Sequence, residues 1–128
     1  MKKLITLVLT LIFVLALAGC GQHKEHKSFE IENAHKIVVI SVDGQRVEIT
    51  DTDAIQKITE NIVSIQFEKE ESSKNTDGFG PIIQWYDSNN DVIEVISITG
   101  EKSIIYNNYF WTATDGNIDI TALNELLK

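Results

Sequence analysis

Lys36-Ile-Val-Val-Ile-Ser-Val42, then Asp43-Gly44, then Gln45-Arg-Val-Glu-Ile-Thr50 is the stretch that decides the fold. A β-branched run such as the first segment reads as a buried strand. Asp-Gly supplies the positive backbone angles that a tight hairpin turn needs. The return limb alternates, with Val47 and Ile49 on one face, so it comes back antiparallel. The period then changes. Thr50, Asp51, Thr52 and Asp53 crowd a helix start, where side-chain oxygens cap free N–H groups and acids complement the macrodipole. Ile55, Ile58 and Ile62 follow at helical spacing, with Ala54 and Val63 beside them and Gln56, Lys57, Glu60 and Asn61 opposite. A single apolar stripe predicts a helix that lies on a sheet.

Downstream the period returns to two. Ile65 to Glu70 alternates, with Ile65 and Phe67 facing inward. Glu71 to Gly80 is rich in turn formers, and Pro81, which has no N–H to donate, can open a strand but not sit inside one. Ile82 to Asp87 and Asp91 to Ile98 pair across Ser88-Asn89-Asn90. Ser103 to Tyr106 and Tyr109 to Thr112 pair across Asn107-Asn108, where asparagine tolerates positive φ. A short last helix starts near Asp119 or Thr121 and buries Leu123, Leu126 and Leu127. The order is β-β-α-β-β-β-β-β-α. Hairpins dominate, so the expected class is α+β: a largely antiparallel twisted sheet with helices packed on one face, in a single domain over residues 31–128.

Upstream of the domain the sequence changes character twice. Gly21 to about Glu30 is polar and without apolar periodicity, which predicts a mobile tether starting at Cys20. Residues 1–19 carry only two charges, Lys2 and Lys3. Leu4 to Ala18 is apolar apart from Thr6 and Thr10. A basic start, a short apolar core and small residues before a cut are the layout of a secretory signal peptide. The run falls short of the roughly 20 residues a membrane-spanning helix needs. Without Lys2 and Lys3 the chain has nine basic against 19 acidic residues, a side-chain charge of −10. That balance disfavours nucleic acid, which is bound by displacing counterions with a basic surface. With Cys20 the only cysteine, no internal disulfide is possible.

Leu17-Ala18-Gly19-Cys20 resembles the bacterial lipobox. The resemblance implies diacylglyceryl transfer to the Cys20 thiol, cleavage after Gly19, and a protein held by lipid on the extracytoplasmic face of the cell membrane. Two acyl chains suffice for stable anchoring, each buried methylene contributing about 0.8 kcal/mol. The chain as a whole resembles small uncharacterised lipoproteins of Gram-positive bacteria, in which a lipobox precedes a domain of unknown function. Val42-Asp43-Gly44, the helix after Thr50-Asp51 and the aromatic hairpin around Tyr106-Asn107-Asn108-Tyr109 carry the rest of that likeness. It implies no activity and no cofactor.

Several constellations invite a chemical reading. His23 and His26 flank Glu25 at metal-ligand spacing, but on a flexible tether the cost of ordering favours a solvated spacer. His35 reads as a surface residue. Asp87-Ser88-Asn89-Asn90-Asp91 and Asp115-Gly116-Asn117-Ile118-Asp119 have the start of a calcium loop. Both lack the later glycine and glutamate, and read as a hairpin turn and a helix lead-in. Glu68 and Glu70 share a strand face, as a hydrolase acting on the wall would need, but no second element points at them. The aromatics are more distinctive. Alternation sends Trp85 and Tyr86 to opposite faces, and likewise Phe110 and Trp111.

The first expectation is therefore a non-enzymatic binding module at the cell envelope. It would use an open sheet face, the loop Ser72–Gly80 and an exposed patch of Phe79, Tyr109 and Trp111 to meet an envelope protein or cell-wall component. A small-ligand or metal sensor and an envelope hydrolase are the alternatives.

Overall fold

The computed structural model describes residues 24–74 and 80–128. Strands β1 (His26–Ser28), β2 (Lys36–Ile40) and β3 (Arg46–Ile49) precede helix α1 (Thr52–Val63). Strands β4 (Gln66–Ser72), β5 (Ile82–Tyr86), β6 (Val92–Gly100), β7 (Ser103–Tyr106) and β8 (Tyr109–Ala113) follow, and helix α2 (Ile120–Leu126) comes last. Among the described residues the strands form one eight-stranded sheet in the order β1-β4-β8-β7-β6-β5-β2-β3. Every neighbouring pair is antiparallel. The fold is α+β, as the hydrophobic patterning requires.

Local chemistry accounts for the elements. In the first turn, Gly44 takes φ +88 and its N–H donates to the Ser41 carbonyl at 3.0 Å. The Ser41 hydroxyl donates to the Asp43 carboxylate, and that bond, with the Gln45 N–H, holds the Asp43 pKa below its ordinary 3.8. Asp51 caps α1, its carboxylate accepting from the Ala54 N–H at 2.9 Å. Asn107 and Asn108 both adopt positive φ, 49° and 65°, in the two-residue turn joining β7 to β8. Gly80 enters β5 so close to β6 that a Cβ there would fall on the Ile98 carbonyl.

Both helices lie on the same side. Ile55, Ile58 and Ile62 of α1 and Leu123 of α2 join one core with Ile37, Val39, Ile83, Trp85, Ile96, Ile98 and Ile104 from alternate sheet positions. The Trp85 Nε1–H donates to Thr59 Oγ1 at 3.0 Å, so the buried indole ties α1 to β5. Leu126 and Leu127 are partly buried against this core.

The expected tether is corrected at its far end. His26–Ser28 pairs with Gln66–Glu68 of β4, and Phe29 and Ile31 are buried, at 2% and 7% exposure. Residues 26–31 therefore belong to the folded unit. Their backbone N–H and C=O groups find partners on the edge of β4, and Phe29 packs edge-on against Phe67 and Tyr106, with centroids 5.7 and 5.0 Å apart. Cys20 and the signal-like segment lie outside the described residues.

Candidate binding surface

Alternation along the strands leaves a second sheet face that neither helix covers. A row of side chains crosses it in register. Phe110 stands opposite Ile105, Ile105 opposite Ser97, Ser97 opposite Ile82, and Ile82 opposite Ile40. All five are half-buried. The Ser97 Oγ is shielded from water and has no hydrogen-bond partner among the described residues. At the β8 end of the row, Glu70, Glu71, Ser103, Phe110 and Thr112 line a shallow depression of about 530 Å³. It offers an aromatic ring, two hydroxyls and two carboxylates. That mixture suits a partner with an apolar anchor and basic or hydroxyl groups around it.

The β5 end of the same face is closed by its own side chains. The Tyr86 hydroxyl donates to Gln84 Oε1 at 2.8 Å, and Lys36 Nζ lies 4.7 Å from the Tyr86 ring centroid and donates to Asn90 Oδ1 at 2.6 Å. Val38, on this face, is fully buried beside them. Next to them Val92 and Val95 of β6 stand exposed on the same face, at 55% and 40%, so its accessible part runs over β6 as well as β4, β8 and β7.

Two members of the expected aromatic patch, Tyr109 and Trp111, do not reach that face. Trp111 is 4% exposed and lies on the helix side, its Nε1–H donating to the Tyr106 carbonyl at 3.1 Å. Tyr109, two residues away, shares that side and is half-buried. Lys69 Nζ covers both rings, 4.0 Å from the Tyr109 centroid and 5.8 Å from that of Trp111, and donates to Glu25 Oε2 at 3.1 Å. Phe79 lies outside the described residues. Of the adjacent pair Phe110 and Trp111, it is Phe110 that reaches the open face. Alternation separates the two residues but does not say which side the helices take.

The remaining constellations resolve into structural roles. Asp87 Oδ1 accepts from the backbone N–H groups of Asn89 and Asp91, at 2.9 and 3.0 Å, and so closes its own hairpin turn. Asp119 caps α2 through the Ala122 N–H at 3.0 Å, and Asp115 accepts from the Gln66 N–H at 2.9 Å. Lys24 Nζ sits between the two strand acids, 3.9 Å from Glu68 and 3.3 Å from Glu70. His26 is in β1 and exposed, and the His35 N–H donates to the Tyr86 carbonyl at 2.8 Å. His23 lies outside the described residues. Among the described residues no three His, Cys, Asp or Glu side chains converge as metal ligands, and no helix is long and apolar enough to cross a membrane. No family model matches the chain, and neither a curated protein nor a solved structure is significantly similar to it.

Proposed function

We propose that the protein is a lipid-anchored, extracytoplasmic binding module without catalytic activity, tied to the cell membrane through Cys20. Its partner is an envelope protein or cell-wall component, met on the open sheet face. One observation carries the reading: the helix-free face presents Phe110 and Ile105 beside an open depression with Glu70, Glu71, Ser103 and Thr112. A half-exposed aromatic within a polar rim is the usual composition of an interaction surface.

The experiment is a photo-crosslinking series in cells making the full chain. A photoreactive phenylalanine analogue replaces Phe110, and in a second strain Lys57, which is exposed on α1. A discrete adduct at position 110 that is absent at position 57 supports the face. Equal or absent labelling at 110 removes it. Palmitate incorporation, expected to vanish in Cys20→Ser, tests the anchor separately.

A further inference from the structure

β3 is the outer strand of the sheet, and among the described residues nothing pairs with its outer side. It contains no proline, and its pairing with β2 runs without a register shift. Proline and bulges are two of the devices that blunt an edge. The Ser41 N–H donates to the Gln45 carbonyl at 2.8 Å, which makes 41 and 45 a hydrogen-bonded pair. Bonded and non-bonded pairs alternate in an antiparallel ladder, so Val39 with Val47 and Ile37 with Ile49 also bond inward. The N–H and C=O groups of Arg46 and Glu48 therefore point away from the sheet.

Arg46-Val47-Glu48 is self-complementary when read in the reverse direction. We infer that β3 is a dimerisation edge, on which two copies of the chain pair antiparallel about a two-fold axis at Val47. Arg46 then stands opposite the partner's Glu48, and Glu48 opposite the partner's Arg46. In this register the outward backbone groups of one copy meet those of the other, and each couple exchanges N–H···O bonds in both directions. The side chains of Arg46 and Glu48 are 52% and 55% exposed and only 3.9 Å apart as a pair within one strand, so they are free to turn across the axis. A slip of one residue sets outward groups against inward ones. A slip of two sets like charges opposite each other. The charge pattern thus selects one register. The interface lies at the edge opposite β1 and extends the sheet without covering the face around Phe110.

Sedimentation equilibrium of the full chain in density-matched detergent tests this. The wild type is expected to dimerise. Arg46→Glu alone and Glu48→Arg alone each set like charges across the axis and weaken the dimer by roughly tenfold or more. An equimolar mixture of the two single variants restores a heterodimer, and the double exchange Arg46→Glu/Glu48→Arg restores a homodimer. Both positions are exposed, and circular dichroism verifies that the variants keep the fold. A monomeric wild type overturns the inference. So does a dimer indifferent to both single changes, or one that mixing fails to restore.

Discussion

Phe110 and Trp111 are neighbours in sequence with opposite consequences. The Trp111 indole fills space beside Ile104 and Tyr106 and satisfies its own N–H. Trp111→Ala should cost about 3–5 kcal/mol of stability, because a large buried ring leaves a cavity. Phe110 is half-exposed, and Phe110→Ala should cost only ~1 kcal/mol. Urea unfolding of the two variants checks the difference, and equal losses would contradict the faces assigned here. The same comparison defines what was legible at this scale. Alternation separates the two rings, and separates Trp85 from Tyr86, because the strand period is two. It cannot say which side is covered. That depends on where α1 and α2 return, a matter of contacts distant in sequence. Trp111 therefore looks like a surface anchor in sequence, whereas Phe110 is the ring on the open face.

Elements defined by their side chains are legible, and elements defined only by backbone pairing are not. The hairpins β2–β3, β5–β6, β6–β7 and β7–β8 are each marked by turn residues between alternating limbs, and α1 by its cap and stripe. β1 has no such mark. His26-Lys27-Ser28 is polar because an edge strand needs only its N–H and C=O groups to pair with β4. Its one visible signal is the alternation Phe29-Glu30-Ile31 just beyond it. The placement of β4 between β1 and β8 is equally silent in sequence, since pairings between distant segments are not signalled locally. The buried ring of Phe29 is what fastens β1 to the domain, through Phe67 and Tyr106 and under Lys27, whose Nζ lies 5.0 Å from the Phe29 centroid. Phe29→Ala should lower stability by about 3–5 kcal/mol and expose β1 first. Hydrogen exchange checks this: the Lys27 amide, which points toward β4, should lose protection well before those of β6. Loss of protection uniformly across the sheet would mean that β1 is integral to the core rather than fastened to it.

At the scale of the whole molecule, a short tether combined with a defined point of entry fixes an orientation. Extended chain spans at most about 3.3–3.6 Å per residue, so six residues from Cys20 to His26 reach no more than roughly 20 Å. Toward its N-terminus the chain passes Lys69, whose N–H donates to the Glu25 carbonyl at 2.8 Å, and then Glu70 beside Lys24. It thus leaves the sheet at the end that carries the Asn107-Asn108 turn, where the Ser73 N–H donates to the Asn108 carbonyl at 2.9 Å. The Glu101-Lys102 turn lies at the other end of the β7–β8 pair, with the Lys102 carbonyl accepting from Ala113 at 2.7 Å. With lipid on Cys20, as proposed, the Asn107-Asn108 end must face the bilayer. The two turns differ in height by the length of β7, on the order of 14 Å at about 3.4 Å per residue. Energy transfer to an acceptor dye in the bilayer measures that difference. Asn108→Cys and Lys102→Cys can each be labelled selectively, because a lipidated Cys20 has no free thiol. Transfer should be clearly stronger from position 108, and a long Gly-Ser insertion after Gly21 should weaken it by letting the domain rise and tumble. Equal transfer from both positions in the uninserted chain would mean that the tether does not orient the domain.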